Sequence, residues 1–271
     1  MRGCSCRGTA GVVHVSCLAE QAKILFAEAE ENNLDLKVKD TRFERWFACG
    51  LCEQKYHGVV KCALGWACWK TYLGRAENDW VRGRAMNVLG NGLSADGQFE
   101  AALAVREADL ATMRRFGAPE QNMLIAQSNL ASTYQSLGRF DDALRMEREI
   151  YEKEVASLGS CHPQTLVTAL CIANSLARMH KYDEVRSHAP ARIPECQRVL
   201  GAEHENTLFL RTIYARALFE DDPEQAETIL VDVTRIARRV LGLRHPRTVL
   251  AEGELRFVRA PGEFPSAYDM Q

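Results

Sequence analysis

Six cysteine and histidine side chains near the N-terminus have the types and spacing that bind a metal ion. They form three close pairs: Cys4 and Cys6, His14 and Cys17, and Cys49 and Cys52. A structural zinc ion takes four such donors in a tetrahedron, and a tight turn that presents two donors supplies half of the set. Seven of the ten cysteines lie at or before Cys68, which in a reducing compartment indicates a metal site more than disulfides. We therefore predict Zn2+ as a cofactor; the alternative is a set of scattered buried thiols.

The segments that carry these pairs resemble the RING-variant (RING-CH) zinc finger over residues 1 to about 58. The resemblance rests on three stretches: Gly3-Cys4-Ser5-Cys6-Arg7-Gly8, Val13-His14-Val15-Ser16-Cys17-Leu18, and Trp46-Phe47-Ala48-Cys49-Gly50-Leu51-Cys52 with Tyr56. It implies one zinc ion shared by four thiols: Cys4, Cys6, Cys49 and Cys52. His14 and Cys17 would need an earlier cysteine pair that this chain lacks, so we expect a weak half-site in a truncated or degenerate finger. Cys62 and Cys68 lie in an apolar helical segment and are expected in the core.

The rest of the chain is a repeat whose landmarks recur at nearly constant intervals. Four glycines, Gly117, Gly159, Gly201 and Gly242, follow one another at about 42 positions, and Gly74 lies one similar interval earlier. A second landmark recurs half a period away, at Gly97-Gln98-Phe99, Gly138-Arg139-Phe140 and His180-Lys181-Tyr182. Each period therefore holds two helices split by a short turn. Small residues recur in register on the first helix, at Gly90, Ala131, Ala173 and Ala215, and on the second, at Ala102, Ala143, Val185 and Ala226. They let the two helices of a pair pack closely.

This pattern resembles the tetratricopeptide repeat, and its Leu-Gly-x-x-His-Pro linker is similar to that of kinesin light chains. The resemblance implies an all-α fold, a right-handed superhelix with a small N-terminal zinc-finger region. We predict a partial finger over 1–58, a connecting helix over 59–73, four repeats with a terminal helix over 74–260, and a tail over 261–271 that is frayed from Phe264 to Gln271. Pro190 and Pro194 fall inside a predicted helix, where proline removes a hydrogen bond, so we expect a kink or break.

No catalytic arrangement stands out. The sequence has no phosphate-binding loop, no serine-centred elbow and no His-Glu-x-x-His motif. His162, His204 and His245 occupy equivalent places in successive repeats, too far apart to share one metal ion. We expect each of them to bind backbone at the linker turn. The chain is therefore predicted not to be an enzyme, unless the finger supports RING-type ubiquitin transfer, which needs no nucleophile of its own.

The first helices of the repeats are predicted to line a concave groove. Their polar positions are Arg84, Asn87, Asn91, Ser128, Ser132, Gln135, Asn174, Arg178, Thr212 and Arg216. Asparagine can both donate to and accept from a peptide backbone, and arginine can bind a carboxylate. Because none of these residues is acidic, and we expect no acid opposite Arg84, Arg178 and Arg216, we predict an extended, mildly acidic peptide as the ligand. The alternative is an ordinary solvated helix face.

Three functions remain open from the sequence. The first is an adaptor that binds a peptide or partner protein; the second is a ubiquitin-ligase component that recruits a ubiquitin-conjugating enzyme; the third is a purely structural array. A net charge of -2 argues against nucleic acid as a partner. There is no run of 18 apolar residues for a membrane span and no apolar core of a signal peptide. We therefore expect a cytoplasmic protein, or a nuclear one, with no membrane partner.

Overall fold

The computed structural model describes residues 14–266 and Tyr268. That part of the chain contains twelve α-helices and one 3₁₀ turn, Glu44–Trp46, and it has no strand. Its extended pairing is limited to a single bridge between Ala48 and Lys55. The all-α prediction is thus confirmed for the described residues. None of the helices there is long and apolar enough to cross a membrane.

The chain divides into two compact units, Met1–Leu137 and Gly138–Gln271. From residue 14 on, the first contains six α-helices: α1 (Val15–Glu31), α2 (Leu36–Phe43), α3 (Gly58–Tyr72), α4 (Trp80–Ala95), α5 (Phe99–Arg115) and α6 (Glu120–Ser136). The second contains the other six: α7 (Phe140–Leu158), α8 (Pro163–Arg178), α9 (Tyr182–Val199), α10 (Glu205–Leu218), α11 (Pro223–Val240) and α12 (Pro246–Arg259). These bounds reproduce the predicted alternation of first and second helices.

An aromatic cluster joins the front of the chain to the first repeat in unit 1. Phe26 of α1 packs edge-on against Phe43 and Tyr72, with ring centroids 5.4 and 5.8 Å apart. The indole N–H of Trp46 donates to the Tyr72 hydroxyl at 3.3 Å. Because these side chains come from α1, α2, α3 and the 3₁₀ turn, the front segment shares one core with the start of the repeats.

The predicted connecting helix is α3, and it packs directly on α4. A Cβ added at Gly92 of α4 would lie 2.8 Å from the carbonyl oxygen of Lys61, and one at Gly65 of α3 would lie 3.1 Å from the Cα of Leu89. Glycine at both places lets the two backbones touch. α3 therefore takes the position that the second helix of a preceding repeat would take, which agrees with the early glycine at Gly74.

The core of unit 2 contains the residues that recur in register on the first and second helices of the repeats. Ala173, Val185, Ala215 and Ala226 are all fully buried. A large cluster joins α8, α9 and α10 through Leu176, Val185 and Ile213 and their neighbours. The small residues let the helices approach, and the larger ones fill the space between them.

The linker histidines act as helix caps, as predicted. Nδ1 of His162 accepts a hydrogen bond from the backbone N–H of Gln164 at 3.2 Å. His204 and His245 accept the same bond, also at 3.2 Å, from the residue two positions on. Each ring thereby satisfies one of the free N–H groups at a helix start. Gly159 precedes this turn with a φ of +89°, a conformation that favours glycine.

In unit 2 the predicted helix break is absent, and the tail predicted to be frayed is partly buried. α9 is one helix that runs through Pro190 and Pro194 without a break. Both prolines lie on its exposed side, whereas Val185, Ala189 and Cys196 hold the other side in the core. The tail is not frayed throughout, because Ser266 and Tyr268 are 0% and 2% exposed. The Ser266 hydroxyl donates to the Glu254 carboxylate at 3.0 Å and accepts from Nε of Arg216 at 3.1 Å.

Candidate peptide groove and cysteine turn

A groove on unit 1 collects three of the predicted ligand-binding residues. It has a volume of about 1220 Å³ and is lined by residues of α2, α4, the end of α5 and the start of α6. Arg84, Asn87 and Asn91, which are one helical turn apart on α4, all line it. The spacing of these residues therefore places their side chains along one wall.

A hydrogen-bond relay fixes the direction of the two asparagine side chains. Arg106 of α5 donates to Oδ1 of Asn91 at 2.9 Å, and Nδ2 of Asn91 donates to Oδ1 of Asn87 at 2.8 Å. Because arginine can only donate, it requires the oxygen of Asn91 to face it, and that sets Asn87 in turn. Both side-chain oxygens are thus used inside the protein. The amide NH2 group of Asn87 remains as a donor for a ligand in the groove.

Arg84 has an acidic partner, contrary to prediction. Its guanidinium forms an ion pair with Asp40 of α2. It also lies over the Phe43 ring, with Cζ 4.6 Å from the centroid. The assumption that no acid opposes this arginine was wrong, because the sequence does not show that α2 packs beside α4.

The predicted α6 residues lie outside the lining of this groove. Ser128, Ser132 and Gln135 do not line it, and the Ser128 hydroxyl donates to the carbonyl of Leu124 at 2.9 Å. α6 contributes Asn122, Ile125 and Ala126 instead. The groove therefore meets the first turns of α6, rather than the middle of that helix.

In unit 2, two of the predicted groove residues are core residues. Thr212 and Arg216 of α10 are 1% and 5% exposed. Nε of Arg216 lies 3.7 Å from a carboxylate oxygen of the fully buried Glu254, so this arginine also has an acidic partner. Asn174 and Arg178 of α8 are half-buried, and Arg178 lies 5.3 Å from the centroid of the Phe140 ring. With Ser266 and Tyr268 packed here, the chain's own tail covers Arg216.

Two features of the unit 1 groove were not predicted from the sequence. Trp80, Phe116 and Ile125 line it although they are 43%, 50% and 53% exposed. Exposed apolar side chains that line one concavity are typical of binding sites. The second feature is the carboxylate of Asp109, 5% exposed and also in the lining. Comparison with the equivalent positions of the other repeats would have revealed it as an exception.

The last cysteine pair lies in a tight turn closed by the short bridge between Ala48 and Lys55. The N–H of Cys49 donates to the carbonyl of Gln54, and the N–H of Glu53 donates to the carbonyl of Cys49, both at 2.9 Å. Glu53, directly after Cys52, has a φ of +58°. Cys49 and Cys52 pack in one cluster with Val15 and Leu18 of α1, the helix that begins just after His14.

The remaining predicted zinc ligands are only partly covered by the structure. Cys4 and Cys6 lie outside the described residues. His14 precedes α1, and Cys17 is exposed in its first turn. Over residues 14–266 no three histidine, cysteine or acidic side chains come together as a metal-binding group. The zinc site, the RING-CH resemblance and a ubiquitin-conjugating partner therefore stay predictions.

Paired antiparallel helices with small residues at the contact and a histidine-capped linker define a fold of tetratricopeptide-repeat type. Residues 124–164 match the tetratricopeptide-repeat family. Two solved structures are similar over most of the chain, and both are described as kinesin light chain nearly identical TPR-like repeats from Podosopora anserina. One, a form with a single substitution, is 19% identical, covers 85% of this chain and 99% of its own, and has a TM-score of 0.54. The other is 18% identical, covers 84% and 98%, and has a TM-score of 0.55. No curated protein matches the chain.

Proposed function

We propose that this chain is an adaptor that binds an extended segment of a partner protein in the groove of unit 1. The observation that carries the proposal is a concavity of about 1220 Å³ that combines exposed apolar side chains with the fixed amide of Asn87. The apolar side chains offer area for burial, and the amide offers a donor to a peptide carbonyl. Helix pairs of the tetratricopeptide-repeat type support this function, because repeats of this type present concave binding surfaces.

The groove of unit 1 is a better candidate than the inner residues of unit 2. Asn87 and Asn91 line open space, whereas Thr212 and Arg216 are buried. Ser266 of the tail already accepts a hydrogen bond from Arg216. A ligand of unit 2 would have to displace this contact, but a ligand of unit 1 finds its donor available.

A peptide library tests the proposal. The full chain would be titrated into a positional-scanning library of acetylated octapeptide amides, with binding followed by fluorescence anisotropy. A neutral hydrogen bond contributes about 1 kcal/mol, so Asn87→Ala should weaken every bound pool about fivefold, whatever its sequence. Asn174→Ala, a change of the same kind on α8, is the control and should bind as the wild type does. Binding of no pool at all, or an Asn87→Ala protein that binds unchanged, would contradict the proposal.

We further propose that the Cys49–Cys52 turn supplies two thiolate ligands to a zinc ion. The favouring observation is the turn itself, which two backbone hydrogen bonds close and which holds both cysteines in one cluster. Cys4 and Cys6 would complete four thiolates, as the RING-CH resemblance implies. Zinc would supply structural cross-linking here, because four thiolates leave no open position for chemistry.

Metal analysis of the purified full chain tests the zinc proposal. Mass spectrometry should find about one zinc ion per chain, as one four-thiolate set requires. Cys49→Ser should remove it, whereas Cys161→Ser, at a half-buried thiol of unit 2, should retain it. A wild-type protein without zinc, or equal zinc in both variants, would exclude the site.

A further inference from the structure

The first repeat departs from the others at one pair of facing positions. In the register set by the recurring glycines, Gly83 of α4 corresponds to Leu124, Leu166 and Leu208. Asp109 of α5 corresponds to Ile150 and Val233, and in the third repeat to Arg192. The leucines are buried, as are Ile150 and Val233. In unit 2, Leu208 and Val233 pack in the same cluster.

In the fourth repeat this pair of positions holds Leu208 and Val233, whereas in the first repeat it holds a glycine and an aspartate. A Cβ added at Gly83 would meet a single neighbour within 4 Å, Oδ1 of Asp109 at 3.9 Å. Both residues line the groove. Replacing a leucine by glycine thus leaves an opening that leads from the groove to the Asp109 carboxylate.

The Asp109 carboxylate is buried without a partner. It is 5% exposed, and no hydrogen bond or ion pair reaches it from residues 14–266 or Tyr268. Burial alone raises its pKa to about 6. A buried charge in this state is costly unless an opposite charge approaches it.

None of three cations near the groove, Arg106, Arg84 and Lys61, forms an ion pair with Asp109. Arg106, three residues before Asp109, donates to the carbonyl of Asn129 at 2.6 Å, to Asn91 and to Thr133. Arg84 pairs with Asp40. Lys61 also lines the groove, and burial, Lys55 and Arg106 lower its pKa, with no contribution from Asp109. A cation for Asp109 therefore has to come from outside these residues.

We propose that Gly83 and Asp109 form a specificity pocket for one lysine or arginine side chain of the segment bound in the unit 1 groove. The opening at Gly83 admits the aliphatic part of the side chain, and the carboxylate binds its charged end. The groove is far larger than an ammonium group, so the cation arrives as part of a chain whose backbone meets Asn87. This inference rests on the proposed adaptor function and adds a basic residue to the ligand, where the sequence alone indicated an acidic one.

The same octapeptide library, with each position fixed in turn as lysine, arginine, norleucine or glutamate, tests this pocket. Norleucine has the apolar length of lysine without its charge, so their ratio isolates the carboxylate. For wild type, one position should favour lysine or arginine over norleucine by about tenfold or more, the value of a charge-assisted hydrogen bond. In Asp109→Asn the ratio at that position should fall below about twofold. Norleucine pools should bind both proteins alike.

Two further variants complete the test. Asp96→Asn, at the end of α4 and outside the groove lining, should keep the preference. Gly83→Leu with Asp109→Val reproduces the pair of the fourth repeat, so it should fold and lose the preference. Pools that bind without any preference for a basic residue, or a preference that survives in Asp109→Asn, would overturn the pocket while leaving the adaptor proposal intact. Binding of no pool would overturn both.

Discussion

Replacing Asp109 by asparagine should stabilise unit 1 at neutral pH, and more so as the pH rises. The side chain is 5% exposed and its carboxyl group has a pKa of about 6, against 3.8 for an ordinary aspartate. In the folded chain the proton therefore binds more tightly than in the unfolded chain. Stability falls as the pH rises from below 3.8 to above 6, because the folded state retains a proton that the unfolded state has lost. Asparagine cannot ionise, so the Asp109→Asn protein does not lose stability in this way as the pH rises.

The size of the effect follows from the two pKa values. At pH 7.5 the ionised carboxylate costs roughly 3 kcal/mol of the free energy of unfolding, at about 1.4 kcal/mol for each pKa unit. At pH 4.5 the unfolded chain is mostly ionised and the folded chain mostly protonated, and the same linkage relation gives roughly 1 kcal/mol. The advantage of Asp109→Asn over the wild type should therefore shrink by about 2 kcal/mol between the two pH values.

Tryptophan fluorescence during urea unfolding measures the stability of unit 1, the unit that contains Asp109. All four tryptophans, Trp46, Trp66, Trp69 and Trp80, belong to unit 1. Gly83→Ala keeps the carboxyl group and is the matched control, so its pH dependence should follow that of the wild type. A stability difference between Asp109→Asn and wild type that is the same at pH 4.5 and 7.5 would refute the reasoning.

Two further predictions concern unit 2. Glu254→Gln removes the carboxylate charge that lies 3.7 Å from Nε of the buried Arg216, so it should lower the free energy of unfolding by about 3–5 kcal/mol; thermal unfolding followed by circular dichroism checks this, and a loss below about 1 kcal/mol would contradict it. Pro190→Ala restores a backbone N–H on the exposed side of α9, and should stabilise by about 1–3 kcal/mol. Urea unfolding followed by circular dichroism at 222 nm is the measurement, and an unchanged or lower stability would show that the helix has already adapted to the proline.

The sequence by itself determined the repeat architecture. The constant interval between landmarks, the glycines after each second helix and the small residues in register are local features. Each acts within one helix pair or one turn, so helix positions and the histidine caps could be predicted without knowing what packs where. The type of fold follows from these features for the same reason.

The tertiary structure decided which polar residues are available to a ligand. Arg84 and Arg216 both look free in the sequence, but α2 brings Asp40 to the first, and α12 and the tail bring Glu254 and Ser266 to the second. These contacts join residues far apart along the chain, and no local pattern records them. The relay from Arg106 that orients Asn87 has the same origin. Whether a side chain binds a ligand depends on which partners already hold its donors and acceptors, and only the packing of distant segments fixes those partners.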